Sequence, residues 1–358
     1  MEWRRQAPVK EAHPRVDVEG GQVPHANIRD VAAAAGVSVA SVSRVLNQSA
    51  EVGAQVRERV LAAVAELGYR PSGAARSLRT RAAAVVGLII SDITNPFFTS
   101  MVRGVEDAAQ AAGFSVMLAN ADEDLAKESQ YLEVAAAEQL AGVVLSPASS
   151  QHTRIDLLTE RGIPVVTIDR RLRNPAVDSV TVNNRRAALE ASAHLIDEGC
   201  RRIGFVAGPP ETTTATGRLA GYKAALLAAG REFEESLLAY GDYRVEGGRA
   251  ATASLLELSG GIDGLFVSNN LMTVGALQAL GERELRIPDD VALVGFDDMS
   301  WNVGYRPSLS LVEQPTYEIG HQAATLLLKR IRGDRSDPSH LVLTATLTVR
   351  DSSRRRTA

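Results

Sequence analysis

Residues 31–47 read VAAAAGVSVASVSRVLN, and the rest of the chain is read outward from them. An alanine-rich helix stops at Gly36, crosses Val37-Ser38 and restarts at once as a second short helix with one arginine, Arg44. Asn27 stands before Ile28 as an N-cap would. Val31, Ala32 and Ala35 fall on one helical face. Gly36 lets the backbone turn where a Cβ would be costly. Ser38 is placed to cap the second helix, with Val42, Val45 and Leu46 turned inward. A third helix is expected from about Gln55 to Leu67, with Val56, Val60 and Val64 at spacing four and Gly68 at its end.

This compact pair of helices is a helix-turn-helix pattern, in which the second helix enters the major groove of DNA. Arg44 is suited to a bidentate contact with guanine, whereas Val39 and Ala40 can read only thymine methyls and shape. Ser38, Ser41 and Ser43 can reach phosphates, and Asn47 is counted with the same surface. The competing reading is a purely structural three-helix cap. Charge favours the first. Between Asn27 and Arg81 there are eight arginines and four acids, a local +4 on a chain of net charge -4. One basic end on an acidic body suits contact with a polyanion at that end only.

The 358 residues suffice for two or three domains, and 45% hydrophobic with 23% charged residues is ordinary for a globular protein. A single cysteine, Cys200, rules out an intrachain disulfide framework. No apolar run is long enough to span a bilayer, and the first residues lack a signal-peptide core, so a cytoplasmic protein without membrane contact is expected. Residues 1–25 read as a disordered arm. Pro71 breaks the third helix, and PSGAARSLRTR, residues 71–81, reads as a small, basic linker able to form one marginal helix.

From Ala84 the rhythm changes. AVVGLIIS, FSVMLAN, GVVLS and PVVTID are apolar runs separated by helical stretches, and RIGFVAG, LLAYGD, GLFVSN and VALVGFD repeat the pattern. That alternation predicts an α/β core of parallel sheets covered by helices. A restart near Ser179–Arg186 suggests two similar halves, with a ligand between them at the carboxyl ends of the strands.

The strand ends carry a consistent chemistry. Asn95, Phe97 and Phe98 follow the first core strand, and Asp169 and Arg170 the fourth. Arg218 opens a later helix, and Tyr243, Asn269, Asp297 and Gln314 follow further strands. Planar polar groups bind vicinal hydroxyls with directed hydrogen bonds, and aromatic faces cover the C–H surface of a sugar ring. Singly, each residue has a plainer reading as a cap, a core ring or a surface pair. No phosphate-binding glycine loop, metal-ligand cluster or Ser-His-Asp context is present in the sequence, so neither an enzyme nor a cofactor or metal is expected.

Three runs carry a resemblance: NIRDVAAAAGVSVASVSRVLN, VRERVLAAVAELGYRPSGAARSLRT and VVGLIISDITNPFF. They resemble the lactose-repressor (LacI/GalR) family of bacterial regulators over essentially all of residues 27–350. The resemblance implies a helix-turn-helix head at 26–70, a hinge helix at 71–82 and a core at 83–350 like type I periplasmic binding proteins. That core would comprise two doubly wound parallel-sheet subdomains, about 83–182 with 315–343 and about 183–314 with 344–350, before a tail at 351–358. It implies a homodimer on double-stranded operator DNA, with Ala75 and Leu78 of the hinge at the DNA and Leu78 wedged into the minor groove. Ser72 departs from the asparagine many members carry.

The cleft residues also resemble the set of ribose-type binding proteins and ribose repressors, which implies a ribose-like pentose or similar sugar as effector. Asn270 departs from the more usual aspartate at this position. Arg170 replaces the aromatic that stacks on the base in purine-binding relatives. The expected function is a sugar-released repressor of carbohydrate use. The alternative is a soluble sugar-binding module without a role on DNA.

Overall fold

A computed structural model describes residues 27–46, 52–69, 85–173, 177–299 and 304–355. The arm at 1–25, the linker at 71–82 with Ala75 and Leu78, and Asn47 lie outside the described residues. The chain divides into two units, Met1–Thr80 and Arg81–Ala358.

The first unit holds α1 (Ile28–Ala35), α2 (Val39–Leu46) and α3 (Ala54–Glu66). The Asn27 side chain accepts from the amides of Arg29 and Asp30, and the Asp30 carboxylate accepts from the Asn27 amide in return. This reciprocal capping box satisfies donors that the first turn leaves without helical partners. Gly36 ends α1 with φ of +61°, a left-handed conformation that glycine adopts without steric cost. The Ser38 hydroxyl then accepts from the Ser41 amide at 3.1 Å and starts α2. Val31, Val42, Val45 and Val60 close a small apolar core, with Leu46, Val56 and Val64 packed partly buried around it.

The second unit contains two sheets. One has β1 (Val85–Ile90), β2 (Ser115–Asn120), β3 (Gly142–Leu145), β4 (Val165–Ile168), β5 (Asp178–Val182) and β11 (His340–Leu343), in the order β11-β5-β4-β3-β1-β2 and parallel throughout. The other has β6 (Ile203–Ala207), β7 (Leu238–Tyr240), β8 (Gly264–Val267), β9 (Ala292–Phe296), β10 (Ser310–Glu313) and β12 (Thr346–Thr348), in the order β12-β10-β9-β8-β6-β7. Among the described strands of this sheet only β12 runs antiparallel to its neighbour. The central strands are buried along their whole length, as parallel strands covered on both faces must be.

The first sheet is flanked by α4 (Pro96–Ala111), α5 (Leu125–Ala137), the short α6 (Asp156–Thr159) and α11 (Thr316–Ile331). The second is flanked by α7 (Asn184–Asp197), α8 (Thr213–Ala228), α9 (Val245–Leu256) and α10 (Asn270–Glu282). The chain passes between sheets three times, after β5, β10 and β11.

Among the described residues twelve strands form where the sequence rhythm showed eight runs. The additional β5 and β10 are polar, and buried pairing makes them viable. Asp178 of β5 accepts from Arg330 at 2.7 and 2.8 Å and from the Ser339 amide. The Ser310 hydroxyl of β10 lies 2.6 Å from that of Ser353. The additional β11 and β12 are short and partly exposed, and take strand form by pairing with those two.

Candidate functional site

On the head, α2 exposes Val39, Ala40 and Arg44, and Ser41 and Ser43 are half-buried beside them. Val42 and Val45 face the apolar core, so the helix has one face spent on folding and one left free of the core. Ser38 is exposed at the start of α2, but its hydroxyl already serves the Ser41 amide and lies 2.9 Å from the Ser41 hydroxyl.

In the core, all ten residues singled out from the sequence line one cavity: Asn95, Phe97, Phe98, Asp169, Arg170, Arg218, Tyr243, Asn269, Asp297 and Gln314. Glu123 and Thr214 join them. Each comes from just past the carboxyl end of a strand or from the helix that follows it, where open α/β sheets place ligands. The free space between the lining atoms is small, about 30 Å³.

Several lining residues are also structural. The Asn95 side chain caps α4, accepting from the Phe97 amide at 2.9 Å. Asn269 caps α10 and donates to the Tyr243 carbonyl at 3.0 Å. Phe97 and Phe98 meet edge to face, with centroids 5.0 Å apart, and belong both to the hydrophobic core and to the cavity wall. Among the described residues seven non-glycine positions have positive φ, and five lie at this cleft: Asp122, Glu123, Asp169, Tyr243 and Asp297. Such backbone strain concentrates where structure fixes side chains for a ligand.

Both guanidinium groups are held by protein atoms. Arg218 donates to Asn184 Oδ1 at 2.7 Å and to the Ser268 carbonyl, and lies 3.7 Å over the Phe296 ring. Arg170 donates to both Glu123 oxygens at 2.7 and 2.6 Å and to the Pro147 carbonyl, 5.4 Å from the Tyr243 ring centre. Burial draws the Arg170 pKa down, but the adjacent Glu123 carboxylate outweighs it and holds the group above its usual value. Burial pushes the Asp297 carboxyl up to about 6, against the pull of Arg218 and of the Gln314 amide, which donates to it at 2.5 Å. Burial raises the Asp169 carboxyl too, with Arg170 and Arg218 opposing.

Two polar atoms at the cavity have no hydrogen-bond partner in the protein: Arg170 Nε, a donor, and Gln314 Oε1, an acceptor. Buried polar atoms are normally paired; the nearest opposite charge to Arg170 Nε is Asp169 Oδ2, at 3.4 Å.

The cleft is bridged between its two halves. Asn270 Nδ2 donates to Asn95 Oδ1 at 2.7 Å, and the Arg171 amide to Thr213 Oγ1 at 3.0 Å. The Ser150 hydroxyl donates to the Glu211 carbonyl, and Arg244 to the Asp122 carbonyl, each at 2.9 Å. Asn270, the departure noted in the sequence, thus joins the halves rather than lining the cavity.

Sequence reasoning missed Glu123 and Thr214. Glu123 sits in NADEDL, which reads as an exposed polar turn, and its only signal was its position just past β2. Thr214 lies in a threonine run at the start of α8, and its hydroxyl lies 2.9 Å from the Tyr243 hydroxyl. Among the described residues no cluster of His, Cys, Asp and Glu could hold a metal, and no helix is long and apolar enough to cross a membrane.

Residues 27–72 match the model of bacterial regulatory proteins of the lacI family, and residues 83–351 that of periplasmic binding proteins and the sugar-binding domain of the LacI family. The ribose operon repressor of Halalkalibacterium halodurans is 37% identical over 329 residues, covering 91% of this chain and 97% of the relative. The structure of a transcriptional regulator CelR–cellobiose complex is 35% identical with a TM-score of 0.71, covering 91% of this chain and 99% of that one. The lac repressor dimer bound to operator and an anti-inducer is 25% identical with a TM-score of 0.79, covering 92% and 99%. With a helix-turn-helix head and a two-sheet core closed around a polar and aromatic cavity, the chain belongs to the LacI family of DNA-binding transcriptional regulators.

Proposed function

We propose that the protein is a homodimeric repressor of a carbohydrate-use operon, released from a near-palindromic operator when a small uncharged sugar of ribose-like shape fills the cleft. The observation that carries the sugar reading is the unmatched pair at the cavity, Arg170 Nε and Gln314 Oε1. A sugar hydroxyl can accept from the first or donate to the second. Phe97, Phe98 and Tyr243 supply apolar faces for the C–H surface of that ring. The name of the Halalkalibacterium relative supports ribose. The cellobiose in the CelR complex supports a disaccharide as the alternative ligand.

Ser38, Val39, Ala40, Ser41, Ser43, Arg44 and Asn47 form the proposed major-groove surface, with Ala75 and Leu78 at the minor groove. The lac repressor dimer on its operator supports both the two-fold assembly and the DNA partner. The protein acts in the cytoplasm, where that DNA lies, and binds the sugar without turning it over. Sugar closes the cleft, closure shifts the two core halves at the dimer contact, and the linkers separate. Linkage then requires that sugar and operator weaken each other's binding by the same factor.

The experiment is thermal unfolding of the purified protein against a panel of neutral sugars headed by ribose. A ligand that binds only the folded state must raise the midpoint. A rise with ribose or a near relative supports the reading, and the same sugar must then release operator DNA. No rise with any neutral sugar overturns it.

A further inference from the structure

Glu123 stands on a loop built to aim it. The loop follows β2, and both Asp122 and Glu123 adopt positive φ, 61° and 56°. The Glu123 amide donates to the Ser91 carbonyl at 2.9 Å, and Asp124 caps α5 directly behind. Of the two strained residues, Asp122 turns outward to Arg244 across the cleft, and Glu123 turns inward onto Arg170. Two consecutive left-handed non-glycine residues are costly and persist only where the surroundings hold them.

The consequence lies in the charges of the cavity. Three carboxyl groups line it, those of Glu123, Asp169 and Asp297, and two guanidinium groups, Arg170 and Arg218, with no lysine among the lining residues. An arginine fork is the usual receptor for a carboxylate or phosphate. Here the Arg170 fork is already filled by both Glu123 oxygens, and Arg218 gives Nε to Asn184 and Nη1 to the Ser268 carbonyl. What Arg170 still offers a ligand is Nε alone, with Asp169 Oδ2 3.4 Å away.

We propose that Glu123 sets the specificity of this cleft: by occupying the Arg170 fork it confines the cleft to uncharged sugars and excludes sugar acids and sugar phosphates. The proposal rests on the sugar reading given above. A competing role, in which Glu123 merely holds Arg170 in position, makes a different forecast. Loss of positioning weakens every sugar alike, whereas loss of the gate changes the order of preference between neutral and anionic ones.

The test is titration calorimetry of the full chain with ribose, ribonate and ribose 5-phosphate, for the wild type, Glu123→Gln and Glu123→Asp. Glutamine keeps the shape and removes the charge, and aspartate keeps the charge. The wild type and the aspartate variant are expected to reject both anions. The glutamine variant is expected to bind at least one anion roughly tenfold or more tighter than the wild type does, a gain of about 1.4 kcal/mol. The proposal is overturned by an anion that binds the wild type as tightly as ribose does. An equal shift for all three ligands in the glutamine variant also overturns it, as does no gain for either anion. The anion gain is read between variants and needs no neutral ligand, so a wild type that ignores ribose refutes the sugar reading without deciding this one.

Discussion

Asn270 and Asn95 join the two halves of the core by one buried hydrogen bond, Nδ2 to Oδ1 at 2.7 Å, directly beside the effector cleft. Asn95 is at once the cap of α4 and a wall of the cavity, so this bond couples cleft closure to the geometry of the site. Its oxygen accepts from both the Phe97 amide and Asn270.

Asn270→Ala removes that bridge and leaves a buried acceptor short of a partner, a loss of about 1–3 kcal/mol. If the sugar binds the closed cleft, its apparent affinity falls by roughly 5- to 150-fold, because the competent state is less populated. Calorimetry with the effector, alongside thermal unfolding of the ligand-free variant, checks this. Unchanged affinity would show that Asn270 takes no part in closure.

The Asp297 carboxyl, pushed up to about 6 by burial, gives a pH dependence of defined sign. Its folded pKa lies above its unfolded value, so the folded state binds more protons between about pH 4 and 6. The stability it contributes is greatest below that window and is lost as pH rises through it, by up to about 3 kcal/mol. Asp297→Asn abolishes this loss. Urea unfolding at several pH values should show the variant gaining on the wild type between pH 4 and 7. A constant difference would mean that Asp297 does not titrate there. Taking the difference cancels groups with lowered pKa values, such as Asp178, whose stabilising effect is instead lost in acid.

Gly208 lies under the Tyr243 ring, and a Cβ there would overlap Cζ, Cε1 and the hydroxyl oxygen. Gly208→Ala must therefore displace the ring, whose hydroxyl lies near those of Thr212 and Thr214 at 3.2 and 2.9 Å. Overpacking of this kind costs about 1–3 kcal/mol of stability, and effector affinity should fall with it. Denaturant unfolding and a sugar titration report the two effects separately. Native affinity in the variant would remove Tyr243 from the binding wall.

Arg44 is exposed on α2 beside Val39 and Ala40, which cannot hydrogen-bond through their side chains. Arg44→Ala should cost about 1–3 kcal/mol of operator affinity and relax the preference at one base pair per half-site. Selection from a randomised operator library measures this. A preserved base preference would assign readout to other residues.

The sequence by itself determined everything set by local pattern. Asn27, Gly36 and Ser38 are capping and turning residues whose chemistry acts within a few positions, and the helices of the head begin and end at them. All eight apolar runs became strands: six are buried at the centre of the sheets, and β2 and β7 are partly exposed edge strands. The ten cleft residues could be named in advance because parallel strands deliver their carboxyl ends to one edge of the sheet. What only the tertiary structure decided depends on partners distant in sequence. β5 and β10 are strands because Arg330 and Ser353 arrive to satisfy their buried polar groups. Asn270 is a bridge because Asn95 faces it across the cleft. Glu123 turns inward because two left-handed residues in succession reverse the chain at the end of β2, bringing its carboxylate to an arginine at position 170. No local pattern encodes that meeting, since the same acidic turn left in solvent would look no different.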